Sequence, residues 1–331
     1  MRLPRARGPV SAQVVDCLRA TTPVPGSFAD VVLPDLHEVT HDEDLQLALW
    51  ILYEQSYRGF DDATDHEWDP DAVALRRRLE DAFETELRAA TVGHVMEALS
   101  VSDELVAQVE HVIAAVDGPN VAGYLQRQAT REQVVEFLVE RSVYHLKESD
   151  PHSFVLARVD GRTKVALAEL QYDEYGAGRP DRLHAALFAD ALVGAGLDPT
   201  YGAYVDRAPG STLAVNNVMS LFTLQRRLRG AALGHLAAFE ATSSMPCRRI
   251  AAGIDRVGLP PVVSAYFEEH VEADAAHEQV AVRDVCGSLV TEHPELREDV
   301  LFGVAACLHL DAVAGRDLFD RWGADREAVA S

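Results

Sequence analysis

Cysteine is scarce in this chain, with four in 331 residues, and no two form a CxxC pair. Cys17, Cys247, Cys286 and Cys307 stand singly, which argues against a disulfide framework. Cys247 or Cys286 remains open as a single ligand, against the reading of a buried inert thiol. Long apolar runs are also missing. No stretch of about 18 uninterrupted apolar residues exists, so no membrane span or membrane partner is expected. Basic charge is deficient: 30 Lys and Arg stand against 53 Asp and Glu, a formal net charge of −23. A polyanion would be repelled, which argues against a nucleic-acid partner. The N-terminal MRLPRARGPV carries arginines without an apolar run behind them and does not read as a secretory signal. With the cysteine usage, this gives a cytoplasmic expectation. Repeats and low-complexity tracts are absent. So are a P-loop, a GxGxxG after a strand and a GxSxG elbow, and nucleotide-dependent and acyl-transfer chemistry therefore lack support.

Alternating β patterns are nearly absent too, and helical periodicity fills the space. Residues 1–40 are punctuated by Pro and Gly and read as an irregular arm or a loose first helix. From 41 to 325 the chain reads as a single all-α domain of seven to ten helices around one core, with the chemistry in 130–290. Asp69–Pro70 is a start signal for a long helix, and Thr130 with Gln133 forms a capping box. Asp160–Gly161 marks a turn before a helix running to Gly176. Pro180 opens the next helix. The stretch STLAVNNVMSLFTLQRRLRGAALGHLAAFEATSS is long and apolar enough to be one central helix. A further helix carries SAYFEEHVEADAAHEQVAV, and REDVLFGVAACLHLDAVAGRDLFDRW closes the chain.

Chemistry concentrates in that penultimate helix. His270, Asp274 and His277 stand at i, i+4 and i+7 and stack on one face. Two imidazoles and a carboxylate on one face form a partial ligand set for iron, manganese or zinc; the bland alternative is a charged, solvated face. Four more candidates lie upstream in apolar surroundings. Glu148 ends one helix, Glu174 ends the next, His184 sits near the start of a third, and Glu240 lies late in the long apolar helix. A buried carboxylate there needs a partner. Three imidazoles and four carboxylates suit two cations with one carboxylate bridging, and mixed His/carboxylate donors favour iron or manganese over structural zinc. A ferritin-like site would need two Glu-x2-His pairs, and this chain offers Asp274-x2-His277 alone. His94 with Glu97 and His145 with Glu148 are further i, i+3 pairs read as decoys.

In this order and spacing the seven residues resemble the haem-oxygenase-like di-iron oxidases and oxygenases, the iron-containing redox enzymes. The match runs through Glu148 in KESDPHSF, Glu174 and His184 in ELQYDEYGAGRPDRLHAALF, Glu240 in RRLRGAALGHLAAFE, and the His-x3-Asp-x2-His of YFEEHVEADAAHE. It covers roughly 130–325, with the helices of 41–128 completing the bundle. The resemblance implies a seven-helix haem-oxygenase-like bundle without haem. Two Fe(II)/Fe(III) ions would be bound, with manganese an alternative at one site and O2 as co-substrate. An external electron donor and a homodimer are compatible with it. The substrate would be a small molecule, an amine or amino-acid-like, undergoing N-oxygenation or oxidative C–C or C–H chemistry in specialised metabolism. By the same resemblance, Glu148, His184 and His277 would serve mainly one iron. His270, Asp274 and Glu240 would serve the other, Glu174 would bridge, and Glu174 and Glu240 would be the catalytic carboxylates.

Around these residues, Asp173 and His235 are candidates to orient the ligands, or else a surface charge and a satisfied core histidine. Arg226, Arg227 and Arg229 are candidates to clamp a substrate carboxylate, or else a solvated face. Tyr172, Tyr175, Phe154, Phe188, Phe222 and Phe239 are candidates to line a cavity, most of them reading as plain core.

Overall fold

The computed structural model describes residues 1–20 and 27–324, and of residues 272–276 the backbone alone. Among the described residues every regular element is helical. In the first half stand α1 (Pro9–Arg19), α2 (Glu43–Glu54), α3 (Pro70–Val101), α4 (Leu105–Ala115), α5 (Val121–Arg127), α6 (Arg131–His145), α7 (Asp150–Ser153) and α8 (Gly161–Glu174). The second half holds α9 (His184–Gly194), α10 (Gly210–Leu224), α11 (Arg229–Arg256), α12 (Pro261–Gln279), α13 (Gly287–Glu292) and α14 (Arg297–Trp322). None is long and apolar enough to cross a membrane.

Helices start where side-chain chemistry dictates. Asp69 accepts from the N–H groups of Asp71 and Ala72 as Pro70 opens α3. At α6, Thr130 Oγ accepts from Gln133 N while Gln133 Oε1 accepts from Thr130 N at 2.8 Å, a closed capping box. Within residues 1–40, α1 buries Val10, Val14 and Leu18. It is tied to α2 by Asp44, which accepts from the N–H of Val10 and of Ser11, each at 2.8 Å.

The apolar stretch expected to be one central helix is two. At Gln225 the backbone turns extended, φ −100° and ψ 108°, and the chain re-enters a helix at Arg229. Gln225 Nε2 donates to Glu80 at 2.6 Å, and Arg227 forks onto both oxygens of Glu84. Both acids are buried on α3. The break satisfies carboxylates that a continuous helix would leave without these partners. It also assigns the arginine cluster: Arg227 binds α3, Arg226 is exposed and Arg229 is half-buried. Arg227, one of the three candidates for a substrate clamp, is thereby taken up by Glu84. After the break α11 runs 28 residues, through Pro246, and Glu240 lies near its middle.

α11 is the hub of the bundle, packed against α12, α14 and α5. The apolar interior forms two clusters rather than the single core expected. One is built on α1–α4, α10 and α14, the other on α5, α6, α9 and the first half of α12. Helices of both clusters supply the buried polar groups described next. After α12, residues Val280–Cys286 widen into a π-helical segment before α13, a feature that often marks a functional helix.

Candidate metal centre

Three short connections aim the donors. α6 ends at His145 and the chain turns through 146–149, where Ser149 takes a left-handed conformation (φ 65°). A non-glycine residue accepts that cost where its surroundings hold it. Lys147 in this turn is buried and paired to Glu54 of α2, its ammonium 4.2 Å over the Tyr57 ring. The Tyr201 hydroxyl lies 2.7 Å from both Glu54 oxygens. With Lys147 anchored, Glu148 is directed inward. Glu174 closes α8, and the chain returns to His184 through Gly176, Ala177 and Gly178, all at positive φ. A Cβ at Gly176 would stand 2.7 Å from the Arg182 carbonyl carbon, so glycine is required there. His184 is the first residue of α9.

The structure brings six of the seven predicted residues into two groups of three: Glu148, His184 and His270, and Glu174, Glu240 and His277. In each group the donor atoms lie within 4.8 Å of one another, and all six residues are buried. Asp274 lies outside the described residues. The expected partition is corrected in one respect: His270 stands with Glu148 and His184, and His277 stands with Glu174 and Glu240. His270 and His277 are two turns apart on α12, on the order of 10 Å along its axis. The first therefore meets the turn after α6 and the second meets the end of α8 and the middle of α11. Glu174 joins the groups: its Oε2 is 3.1 Å from His184 Nδ1, and its Oε1 is 3.6 Å from His277 Nδ1.

Hydrogen bonds orient each donor. His270 Nδ1–H donates to the Tyr266 carbonyl at 2.8 Å, which leaves Nε2 facing Glu148 Oε1 at 3.5 Å. His277 Nε2 faces Asp173 at 3.4 Å, and its Nδ1 stands 3.6 Å from both Glu174 and Glu240. Asp173 meets both readings left open for it, an exposed charge that also faces the His277 ring. Ser149 Oγ donates to Glu174 at 2.9 Å. The Tyr266 hydroxyl is 2.7 Å from Glu148 Oε2 and 2.8 Å from His145 Nδ1, and His145 Nδ1 is 3.1 Å from Glu148 Oε1. His145, read as a decoy, is therefore part of the site, as is Tyr266. The periodicity held a clue to Tyr266: it is four residues before His270, on the same face. His235 does not orient Glu240; it is a core ring, stacked on Phe239 and edge-on to Phe222.

The electrostatics follow. Burial alone would raise Glu148, but His145 and His270 hold it well below the usual carboxylate range. Burial likewise works against ionisation of Glu174, and the hydrogen bond from His184 prevails and lowers it. Burial pushes His277 down, yet Glu240, Glu174 and Asp173 raise it to about 9. Two carboxylates held ionised in a buried site need positive charge close by. A proton on His277 supplies part of it in the bare protein. Metal cations would supply it fully, and the oxygen-rich, thiolate-free donor set fits iron or manganese. Cys286 gives its thiol to the Leu233 carbonyl, and Cys247 lines a neighbouring cavity; neither joins a donor group.

That cavity, about 350 Å³, opens beside the first group and is lined by Glu148, His270, Tyr266 and Phe239 among others. Of the aromatics expected to line a cavity, Phe239 does so. Phe188 packs on His145 and Tyr266, Phe222 on Phe302 and Phe154 on Tyr57; Tyr175 is 2.7 Å from the Ser153 hydroxyl, and Tyr172 is exposed.

A nitrosourea synthase from Streptomyces achromogenes subsp. streptozoticus is 27% identical over 166 residues, 50% of this chain and 35% of that protein. The similarity thus spans about a third of that relative's length. A solved CADD-like protein of unknown function from Nostoc punctiforme PCC 73102 is 19% identical, with a TM-score of 0.49, covering 66% of this chain and 94% of that one. The family model described as iron-containing redox enzyme matches residues 135–312, more than half of the chain and the whole stretch from α6 into α14 that holds the donors. The chain belongs to the haem-oxygenase-like family of iron-containing redox enzymes.

Proposed function

We propose that the chain is a non-haem di-iron, O2-dependent oxidase or oxygenase acting on a small molecule. The observation that carries the reading is the pair of buried three-donor groups, Glu148/His184/His270 and Glu174/Glu240/His277, joined at Glu174. Asp274 is retained as a seventh ligand from its place in the sequence. Ferrous ions with open coordination positions would supply the electrons for O2 reduction. Manganese at one position is an alternative.

The chain's own residues prepare that chemistry. Tyr266 keeps its proton, since burial and the Glu148 charge push its hydroxyl well above the usual range. It therefore donates to Glu148 and fixes that carboxylate's orientation. His270 is held as the Nδ1–H tautomer by the Tyr266 carbonyl, with Nε2 available as a ligand atom. Phe188, against both His145 and Tyr266, excludes water from behind the first group. Glu174 and Glu240 are the carboxylates we assign to catalysis, Glu174 because it touches both groups. Oxidation of an amine or amino-acid-like substrate is supported by the likeness to a nitrosourea synthase over half the chain.

Anaerobic Fe(II) titration tests the reading. Wild type should take two irons per chain, Glu174→Ala and Glu240→Ala fewer. Oxygen uptake should require iron, and oxygen exposure should give a transient visible absorption band. One iron or none overturns the di-iron assignment. Two irons with no oxygen consumption across a panel of small amines and amino acids identify a metal-binding scaffold instead.

A further inference from the structure

The cavity beside the first donor group carries charge at its other end. Along α6, Phe137, Arg141, Tyr144, His145 and then Glu148 line one side. Arg141 stands one turn before the end of α6, and Glu148 lies in the turn that follows it. Asp311 of α14 and Asn216 of α10 line the cavity as well. Arg141 has Asp311 as its ion-pair partner, at a loose 4.0 Å, and the two side chains are 36% and 39% exposed. Both charges can therefore take a ligand. The guanidinium also lies over the Phe137 ring, 5.2 Å from its centroid, which holds its plane. Asn216 is buried; its Nδ2 donates to the Thr212 carbonyl, and its Oδ1 is without a hydrogen-bond partner. Glu140 also lines the cavity but is spent on Thr212 and Arg321.

Resting on the reading above, we propose that Arg141, Asp311 and Asn216 form the specificity site of the enzyme. They bind the zwitterionic head of a free α-amino acid and direct its side-chain end to the metal groups. A planar fork is suited to a carboxylate. An ionised carboxylate and an amide oxygen are acceptors for an ammonium group. Burial raises the Asp311 carboxyl, with Arg141 and His145 pulling it back; a substrate ammonium acts in the same direction as those two.

The test uses three probes of one length: L-lysine, cadaverine, which lacks the carboxylate, and 6-aminohexanoate, which lacks the α-ammonium. Calorimetric titration is done on the metal-free chain and on the anaerobic iron-loaded chain. Wild type should bind L-lysine at least tenfold more tightly than either truncated probe. Arg141→Met should reduce L-lysine to the level of cadaverine and leave cadaverine unchanged. Asp311→Asn should reduce L-lysine to the level of 6-aminohexanoate. Arg141→Lys, which keeps the charge and loses the fork, should fall between, and circular-dichroism melting reports that each variant folds. Equal binding of the three probes, no binding of any, or a preference that survives both substitutions in folded protein overturns the proposal. Iron titration run alongside separates the two readings. Two irons with unsorted probes sink the specificity site alone; sorted probes without iron sink the di-iron reading and leave the amino-acid site standing.

Discussion

A single hydroxyl shows how the site is tuned. Tyr266 Oη lies 2.7 and 2.9 Å from the two oxygens of Glu148, and both side chains are buried. Groups that orient a metal ligand are commonly worth tenfold to a hundredfold in metal affinity. Tyr266→Phe keeps the ring packed on Phe188 and removes the donor. Its iron affinity in the first group should fall by about tenfold or more, with the melting temperature within a few degrees of wild type, as read by anaerobic titration and calorimetry. An unchanged affinity would mean that His145 alone orients Glu148. A second residue-scale prediction concerns the buried imidazoles His152 and His235, whose rings lie 5.8 Å apart. Burial lowers His152 to about 4 and His235 to about 3, with His152 adding to the effect on His235. In the unfolded chain both titrate near 6.5. Below that pH the unfolded state binds the extra protons, so the stability due to these residues is full above pH 6.5 and is lost as pH falls toward 4 and 3. At about 1.4 kcal/mol per unit, His152 alone contributes a loss on the order of 3 kcal/mol by pH 4. Urea unfolding of the metal-free chain from pH 7 to 4 should show this fall, and His235→Phe should make it shallower. Six of the donor residues were legible in the sequence because a buried acid or histidine in an apolar setting announces a partner. The parts played by His145 and Tyr266 were not, since the imidazole at the end of α6 and the hydroxyl on α12 meet only in the folded chain.

Helix existence was legible from periodicity and from caps such as Asp69 and Thr130, which act within four residues. The break between α10 and α11 was not, because its cause is the pair of acids on α3, 145 and 143 positions away. The π-helical stretch 280–286 leaves no apolar pattern of its own and was likewise invisible. The crossing of α11 over α14 also has a local cause. A Cβ on Gly234 would lie 1.9 Å from the Val300 carbonyl oxygen, and one on Gly303 2.0 Å from that of Ala231. Each helix backbone fills the gap left by the other's missing side chain, and backbone cannot yield as a side-chain tip can. Gly234→Ala or Gly303→Ala should therefore destabilise by about 1–3 kcal/mol, the usual cost of overpacking. Glu240 stands six residues beyond Gly234, about 9 Å along α11. Displacement of α11 should reach it, and iron binding by the Glu174/Glu240/His277 group should weaken before that of the other group. Urea midpoints and stepwise iron titration read the two effects. Full stability in Gly303→Ala would show that the helices can part without cost.

At the scale of the whole molecule the dominant quantity is charge, 53 acidic residues against 30 basic ones, a formal −23. The sequence reading used that excess to argue against nucleic acid; it also bears on the stability of the fold. Ion pairs such as Arg227–Glu84 and Arg321–Glu140 draw on the limited supply of cations, and more than twenty negative charges remain to repel one another over one compact surface. Self-repulsion of this kind disfavours the folded state, because unfolding spreads the charges. Salt shortens its reach: the screening length is about 30 Å at 0.01 M and about 10 Å at 0.1 M, so most pairwise repulsions across the molecule are removed between those conditions. Exposed ion pairs are weakened too, but each is worth only about 0–1 kcal/mol. The net effect of sodium chloride on the metal-free chain at pH 7 should therefore be stabilising, a rise of several degrees in melting temperature from 0.01 to 0.3 M. Two bound ferrous ions would add four positive charges at the centre of the bundle, and the salt-induced rise should be smaller in the iron-loaded chain than in the bare one. A melting temperature that falls with salt in the metal-free protein would mean that its ion pairs outweigh its net charge.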